Sequence, residues 1–486
     1  MNQLPLKQHF ANHFQDFEQL FFSRVKPGGL SEPVLASINE PLATALGIHP
    51  SDLSSEEGIA LMSGNTTPEH ISPIALVYSG HQFGVWAGQL GDGRAITLGE
   101  AEMDGELWDL QLKGAGSTPY SRFADGRAVL RSSIREYLCS EAMYGLGIPT
   151  TRALCLIDSS TPVFREEVER GATICRVARS LIRFGSFEHF HYREQKDAVA
   201  ALADYVIERH FPDWANNPDR YLLLLENAVV KTAQLIAQWQ SVGFAHGVMN
   251  TDNMSMLGET LDYGPFGFLD SYNPEFICNH SDTQGRYSFK NQPAIGLWNL
   301  NALANAFLSL LTPEEMVPVL KRYEVEYLAR FQSLMREKFG LADSLKEDEQ
   351  LIEQLLATMA ENQVDYTLFF RKLCRFSEKG DNQGLQGLFA NPDKFERWSE
   401  QYRNRLALEH TPEPLRQEKM TRINPKFVLR NYLAQIAIEK AQQHDYSVIG
   451  QLLDILQSPF DEHSEFEHFA SAPPDWASQI CVSCSS

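Results

Sequence analysis

The sequence predicts an α+β protein in which a β-rich half precedes a helical half. Two observations carry that reading. From His81 to Gly116 apolar residues alternate with polar ones, and Gly91-Asp92-Gly93 and Asp104-Gly105 interrupt them with the residue types of tight antiparallel turns. From about Lys196 onward apolar residues recur at helical spacing, most clearly in Tyr221–Val242, a stretch closed by Gly243.

The elements follow in order. Residues 1–75, punctuated by Pro, Gly and Ser, read as an N-terminal extension with one or two short helices. Residues 76–190 form the β-rich lobe. It holds the sheet just described, a helix from about Ala128 to Tyr144 that stops at Gly145-Leu146-Gly147-Ile148-Pro149, and strands near Ala153–Ile157 and Thr173–Ala178. Residues 191–470 read as a helical lobe with additional helices, and 471–486 as a flexible tail carrying Cys481 and Cys484.

Composition narrows the function. With 486 residues, 43% hydrophobic and 22% charged, the chain can bury a full core. Its 42 basic and 63 acidic residues give a net charge of −21, which weighs against nucleic acid or an anionic membrane as partner, since either needs a basic face. A local basic pocket for phosphate is compatible with that balance. The N-terminus lacks a signal pattern, and no apolar run approaches the roughly 20 residues of a membrane span. The seven cysteines are mostly isolated (Cys139, Cys155, Cys175, Cys278, Cys374) and do not form a secreted disulfide framework. A cytoplasmic location is expected.

Four elements point to chemistry. Gly88-Gln89-Leu90-Gly91-Asp92-Gly93-Arg94 can bring backbone N–H groups close to phosphate oxygens, although alone such a pattern more often marks an ordinary tight hairpin. Lys113 ends the apolar strand Leu110-Gln111-Leu112-Lys113, a place from which a lysine can reach a cleft. Glu136 shares its helix face with small and apolar residues, so that face is expected to be covered. A covered carboxylate needs a cation, and the candidates are Lys113, Arg131, Arg135 and Arg152, with Lys113 favoured.

The fourth element weighs most. His246-Gly247-Val248-Met249-Asn250-Thr251-Asp252-Asn253 follows a long helix, and Asp262-Tyr263-Gly264 comes next. In protein kinases the catalytic loop H-R-D-x-x-x-x-N precedes D-F-G, and the Asn and second Asp hold magnesium. Asn253 and Asp262 offer the hard oxygen ligands that Mg²⁺ or Mn²⁺ prefers. A strand lysine, a helix glutamate and these two loops, in that order, predict a protein-kinase-like bilobal fold that binds ATP. Val248, however, occupies the place of the kinase's proton-accepting Asp, and valine accepts no proton. Asp252 is the nearest carboxylate in the loop. Arg127, Arg176 and Arg183 are additional cations suited to a triphosphate, or to surface ion pairs.

Three long segments, Tyr78–Ala95, Leu110–Leu138 and His246–Asp270, resemble the selenoprotein O family, and the motif resemblance runs from about Pro73 to Trp298. The resemblance implies a kinase-like fold that holds ATP in a flipped orientation and moves AMP to Ser, Thr or Tyr hydroxyls of proteins, releasing pyrophosphate. It also implies roles. Gly91, Gly93, Arg94, Asp125, Gly126, Arg176, Arg183 and Asp262 would line the nucleotide site, with Lys113 and its partner Glu136 by the phosphates. Asn253 and Asp262 would hold metal, and Asp252 would accept the proton. The flipped nucleotide accounts for Val248, because the reacting hydroxyl then lies elsewhere.

Animal members of that family often carry selenocysteine near the C-terminus, where this chain has Cys481 and Cys484. The resemblance implies redox gating by a disulfide between tail and core, with Cys278–Cys484 the favoured pair. A Cys278/His280/Cys481/Cys484 zinc site and free thiols stand beside it as other readings. UMP transfer from UTP with manganese, true kinase chemistry, and a non-catalytic ATP-binding pseudokinase remain the rival functions.

Overall fold

The computed structural model describes Phe14, Phe17 and residues 19–483. Its centre is an eight-stranded antiparallel sheet. The strands are β1 (Phe22–Arg24), β2 (Val34–Ile38), β3 (Ile74–Leu76), β6 (Ala95–Met103), β7 (Glu106–Lys113), β8 (Ala128–Val129), β9 (Arg152–Phe164) and β10 (Val168–Ala178). They run in the order β1-β3-β6-β7-β10-β9-β2, with β8 pairing β10. A separate hairpin joins β4 (Ser79–Gln82) to β5 (Val85–Gln89).

Two turns show how local chemistry sets the strands. Asp104 and Gly105 take φ 54° and 79°, the left-handed pair that lets β6 fold back on β7 with Met103 opposite Glu106. Gly91-Asp92-Gly93, expected to be a second hairpin turn, is instead the link from β5 in the small sheet to β6 in the large one. Its glycines answer a packing need. A Cβ at Gly91 would stand 2.6 Å from the Tyr120 ring, and one at Gly93 2.9 Å from the Tyr120 carbonyl.

Because side chains alternate along a strand, each strand divides its residues between two faces. Leu110 and Leu112 of β7, with Cys175 and Val177 of β10, pack against α1 (Glu40–Ala45), α2 (Pro50–Ser54) and α3 (Glu56–Met62). Gln111 and Lys113, with Ile174 and Arg176, therefore face the opposite side, toward α4 (Leu130–Gly145). The described part of residues 1–75 thus supplies three helices and two edge strands. The N-terminal reading of one or two helices and loops missed the strands, whose partners lie far along the chain.

The helical half begins with α5 (Phe184–His191), α6 (Lys196–His210) and α7 (Arg220–Val242), which ends at Gly243 where the sequence places its stop. Next, β11 (Phe244–Ala245) pairs β12 (Gly267–Phe268) and brackets the loop between them. Then come α8 (Gln292–Ala306) and α9 (Pro313–Phe339). The later helices build a second core around Phe339, Phe370, Trp398 and Tyr402. Two of them, Asn431–Gln442 and Ser447–Gln457, return to cover α4. The described part of the tail, to residue 483, is tied to the body of the protein, the His280 amide donating to the Val482 carbonyl at 2.8 Å. No helix among the described residues is long and apolar enough to cross a membrane.

Candidate active site

Strand alternation and the β11–β12 bracket bring the four sequence elements to one cleft of about 540 Å³. Lys113 leaves the end of β7, and its ammonium donates to Glu136 Oε2 on α4. Arg176, one strand over on the same face, donates from Nη2 to Glu136 Oε1 at 2.5 Å and to Asp262 Oδ1 at 2.6 Å. Arg183, just ahead of α5, donates from Nη1 to Asp262 Oδ2 at 2.5 Å and to the Asp252 carbonyl at 2.9 Å. Lys113 Nζ also lies 3.5 Å from Asp262 Oδ1. Glu136, Arg176 and Arg183 are each 2% exposed.

The other arginines weighed as partners for Glu136 are engaged elsewhere. Arg131 binds Glu169 at 2.6 Å and Arg152 binds Glu141 at 2.7 Å. Arg135 lies over the Phe266 ring and donates to its carbonyl at 2.9 Å. The sequence missed Arg176 as a second partner of Glu136. Arg176 lies within the strand expected near Thr173–Ala178, but only the sheet register brings it opposite Gln111.

Electrostatics follow from this packing. Burial opposes a charge on Asp262, but Arg176, Arg183 and Lys113 outweigh it and hold the carboxyl well below its usual range. Burial lowers the Lys113 ammonium, against the pull of Glu136 and Asp262. Burial pushes Asp252 up to about 7 and Asp92 up to about 6, each partly countered by nearby donors and by Arg183. The lining as a whole is basic. Arg94, Lys113, Arg122, Arg127, Arg165, Arg176 and Arg183 face Asp92, Asp125, Asp252 and Asp262, in a chain whose net charge is −21. Such a cleft attracts a polyanion that the remaining surface repels.

The loop from His246 to Asp262 is fixed from within. His246 Nε2 donates to the Leu261 carbonyl at 2.9 Å, and its Nδ1 accepts from the Val248 amide at 3.3 Å. Asp262 itself takes φ 58°, a left-handed conformation that Asp tolerates better than most residues. Asn253 Nδ2 donates to the Val248 carbonyl at 2.9 Å, which commits the nitrogen and leaves the amide oxygen as the acceptor end. Asn253 and Asp262 are thus hard oxygen donors on one wall, a set that fits Mg²⁺ or Mn²⁺.

Gly91, Gly93, Arg94, Asp125 and Gly126 also line the cleft, Asp125 at its rim, where it pairs with Arg165 at 2.9 Å. Sequence reasoning missed Tyr78, Gln82, Asp92, Tyr120, Arg122 and Asn250 on the same lining. Asp92 had a signal, since it lies between the two singled-out glycines. The Cys278 thiol donates to the Ala245 carbonyl at 3.4 Å, and Cys481 is exposed. Cys484, expected to pair with Cys278, lies outside the described residues. Among the described residues no group of three or more His, Cys, Asp or Glu is arranged for a metal ion, and the alternative zinc set includes Cys484.

Known proteins resemble this chain from end to end. Protein nucleotidyltransferase YdiU of Myxococcus xanthus is 50% identical over 480 residues, covering 98% of each chain. The protein of the same name from Thioalkalivibrio sulfidiphilus is 49% identical over 484 residues, again 98% of each. That from Herminiimonas arsenicoxydans is 49% identical, covering all of this chain and 98% of its own. The chain is an enzyme of the protein nucleotidyltransferase class. More narrowly, a family model described as protein adenylyltransferase SelO matches residues 5–457, and the chain belongs to that family.

Proposed function

We propose that this enzyme transfers AMP from ATP to Ser, Thr or Tyr hydroxyls of proteins, with release of pyrophosphate, in a protein-kinase-like cleft of a cytoplasmic protein. One observation carries the reading. In the His246–Asn253 loop the only carboxylate is Asp252, which lines the cleft four residues beyond Val248, where a kinase keeps its base. The kinase likeness of the two halves is supported by the Lys113–Glu136 pair and by Asn253 and Asp262 after a long helix.

The chain's own groups account for the steps. Lys113, Arg176 and Arg183 supply three cations against Glu136 and Asp262, leaving positive charge for the phosphates. The Gly91–Arg94 link and the Asp125–Gly126 rim line the rest of the nucleotide site. Asp262, kept anionic by its arginines, and Asn253 would hold Mg²⁺ or Mn²⁺, which when bound neutralises charge on the phosphate oxygens. Asp252, pushed up to about 7, has the basicity of a group that takes a proton near neutral pH. As the acceptor oxygen bonds to the α-phosphorus, its proton passes to Asp252. The bond to the β-phosphate oxygen breaks, and pyrophosphate leaves.

The same reading includes redox control through the tail. Cys278 contacts the residue just before His246, and a Cβ at Gly247 would lie 2.6 Å from its sulfur. A Cys278–Cys484 disulfide would therefore pull on the catalytic loop. The Val482–His280 hydrogen bond brings the tail to this place.

The test uses ATP labelled on either the α- or the γ-phosphate, with magnesium and reduced enzyme. Label entering protein from the α position alone is expected. Label from the γ position alone would restore kinase chemistry and overturn the proposal.

A further inference from the structure

The β4–β5 hairpin does more than line the cleft, because its residues grip the catalytic loop one after another. The His81 amide donates to Thr251 Oγ1 at 2.7 Å. The Gln82 side-chain amide donates to Asp252 Oδ2 at 3.2 Å. The Phe83 amide donates to Asn250 Oδ1 at 3.2 Å and to the Tyr287 hydroxyl at 2.9 Å. Three consecutive hairpin residues thus hold three consecutive loop residues.

Close packing makes the grip directional. A Cβ at Gly80 would stand 2.7 Å from Asp252 Oδ1 and 3.1 Å from the Asp252 amide. On the other side, a Cβ at Gly185 of α5 would lie 3.3 Å from the Asp252 Cα. Asp252 is enclosed between a strand and a helix start. Its Oδ1 is buried without a hydrogen-bond partner among the described residues, while Oδ2 accepts from Gln82. The hairpin is itself a stiff mount, since Phe83 and Gly84 form a left-handed two-residue turn at φ 51° and 79°.

We propose that Gln82 is a positioning residue: its amide fixes the rotation of the Asp252 carboxylate so that the carboxylate meets the acceptor hydroxyl. The proposal rests on the reading of Asp252 as proton acceptor. A carboxylate on a one-carbon stem turns about its last bond, and a base must stand within hydrogen-bond reach of the proton it takes.

The experiment compares Gln82→Met, which keeps the length and removes the donor, with Asp252→Asn and the unaltered full-length enzyme. Turnover is measured with α-labelled ATP, magnesium and an acceptor protein that takes the label, alongside the KM for ATP and the melting temperature. Gln82→Met is expected to lower kcat by about tenfold or more, as for loss of a hydrogen bond to a charged group, with KM and melting temperature unchanged. Asp252→Asn is expected to lose at least as much. An unchanged kcat in Gln82→Met, with Asp252→Asn inactive, would overturn the positioning claim alone. A loss that appears in KM or melting temperature instead would mark Gln82 as structural and overturn it likewise. Full turnover in Asp252→Asn would remove the proton-acceptor reading and this inference together.

Discussion

Glu136 and Asp262 share a single nitrogen, the Nη2 of Arg176, at 2.5 and 2.6 Å. A helix of the β-rich half and the loop after the long helix are thereby joined through one buried guanidinium. Disturbing either carboxylate is felt by the other.

Changing Glu136→Gln leaves Lys113 and Arg176 buried beside Asp262 with one anion fewer. Breaking a buried pair in this way costs about 3–5 kcal/mol. Urea denaturation of the variant is expected to show a loss of that size, with the slope unchanged.

Asp262→Ala removes the proposed metal ligand, whose charge the arginines maintain. Magnesium-dependent transfer of α-label is expected to vanish. Nucleotide binding measured by calorimetry in a chelator should persist, because the three cations remain. Surviving magnesium-dependent turnover would show that Asp262 holds no metal.

Gly80→Ala places a methyl against both the carboxylate and the backbone of Asp252. Overpacking of this kind costs about 1–3 kcal/mol. The variant is expected to lose turnover well beyond its loss of melting temperature, since the group displaced is the proposed proton acceptor.

Burial of Lys338, outside the cleft lining, is expected to make stability depend on pH. Lys338 is 4% exposed, lies 4.2 Å above the Phe370 ring, and burial lowers it to about 7. Unfolded, it returns to its ordinary value of 10.5, so between about pH 7 and 10.5 the unfolded chain holds a proton that the native state lacks. Native stability therefore gains from this group as pH rises through that window, and below it the full cost of a buried charge remains. Lys338→Met should be more stable at pH 7, and its advantage should shrink by up to about 1.4 kcal/mol per pH unit on the way to pH 10.

How far the sequence could be read depended on how locally each feature is encoded. The end of α7 at Gly243 and the Asp104-Gly105 turn were legible because the deciding residues are adjacent. Lys113 and Glu136 were legible as a pair because a strand and the next helix bring them together. Arg176 was singled out, but its bond to Glu136 was not, because sheet register decides which strand residues are neighbours. Gln82 was not singled out, because its partner Asp252 lies 170 residues away and nothing local to either residue encodes their contact. The edge strands β1 and β2 escaped notice for the same reason: short segments declare themselves only through their partners.

The placement of those two edge strands bears on how the protein is made and on where it can be cut. During synthesis β2 emerges long before β9 and waits unpaired while the middle of the sheet is translated, whereas the partner of β1, β3, is made before those middle strands. A fragment started near residue 75 would carry the cleft residues but leave both borders of the sheet bare, and bare strand borders invite sticking to other chains. The smallest piece that keeps both borders covered therefore includes strands that are not themselves part of the cleft lining.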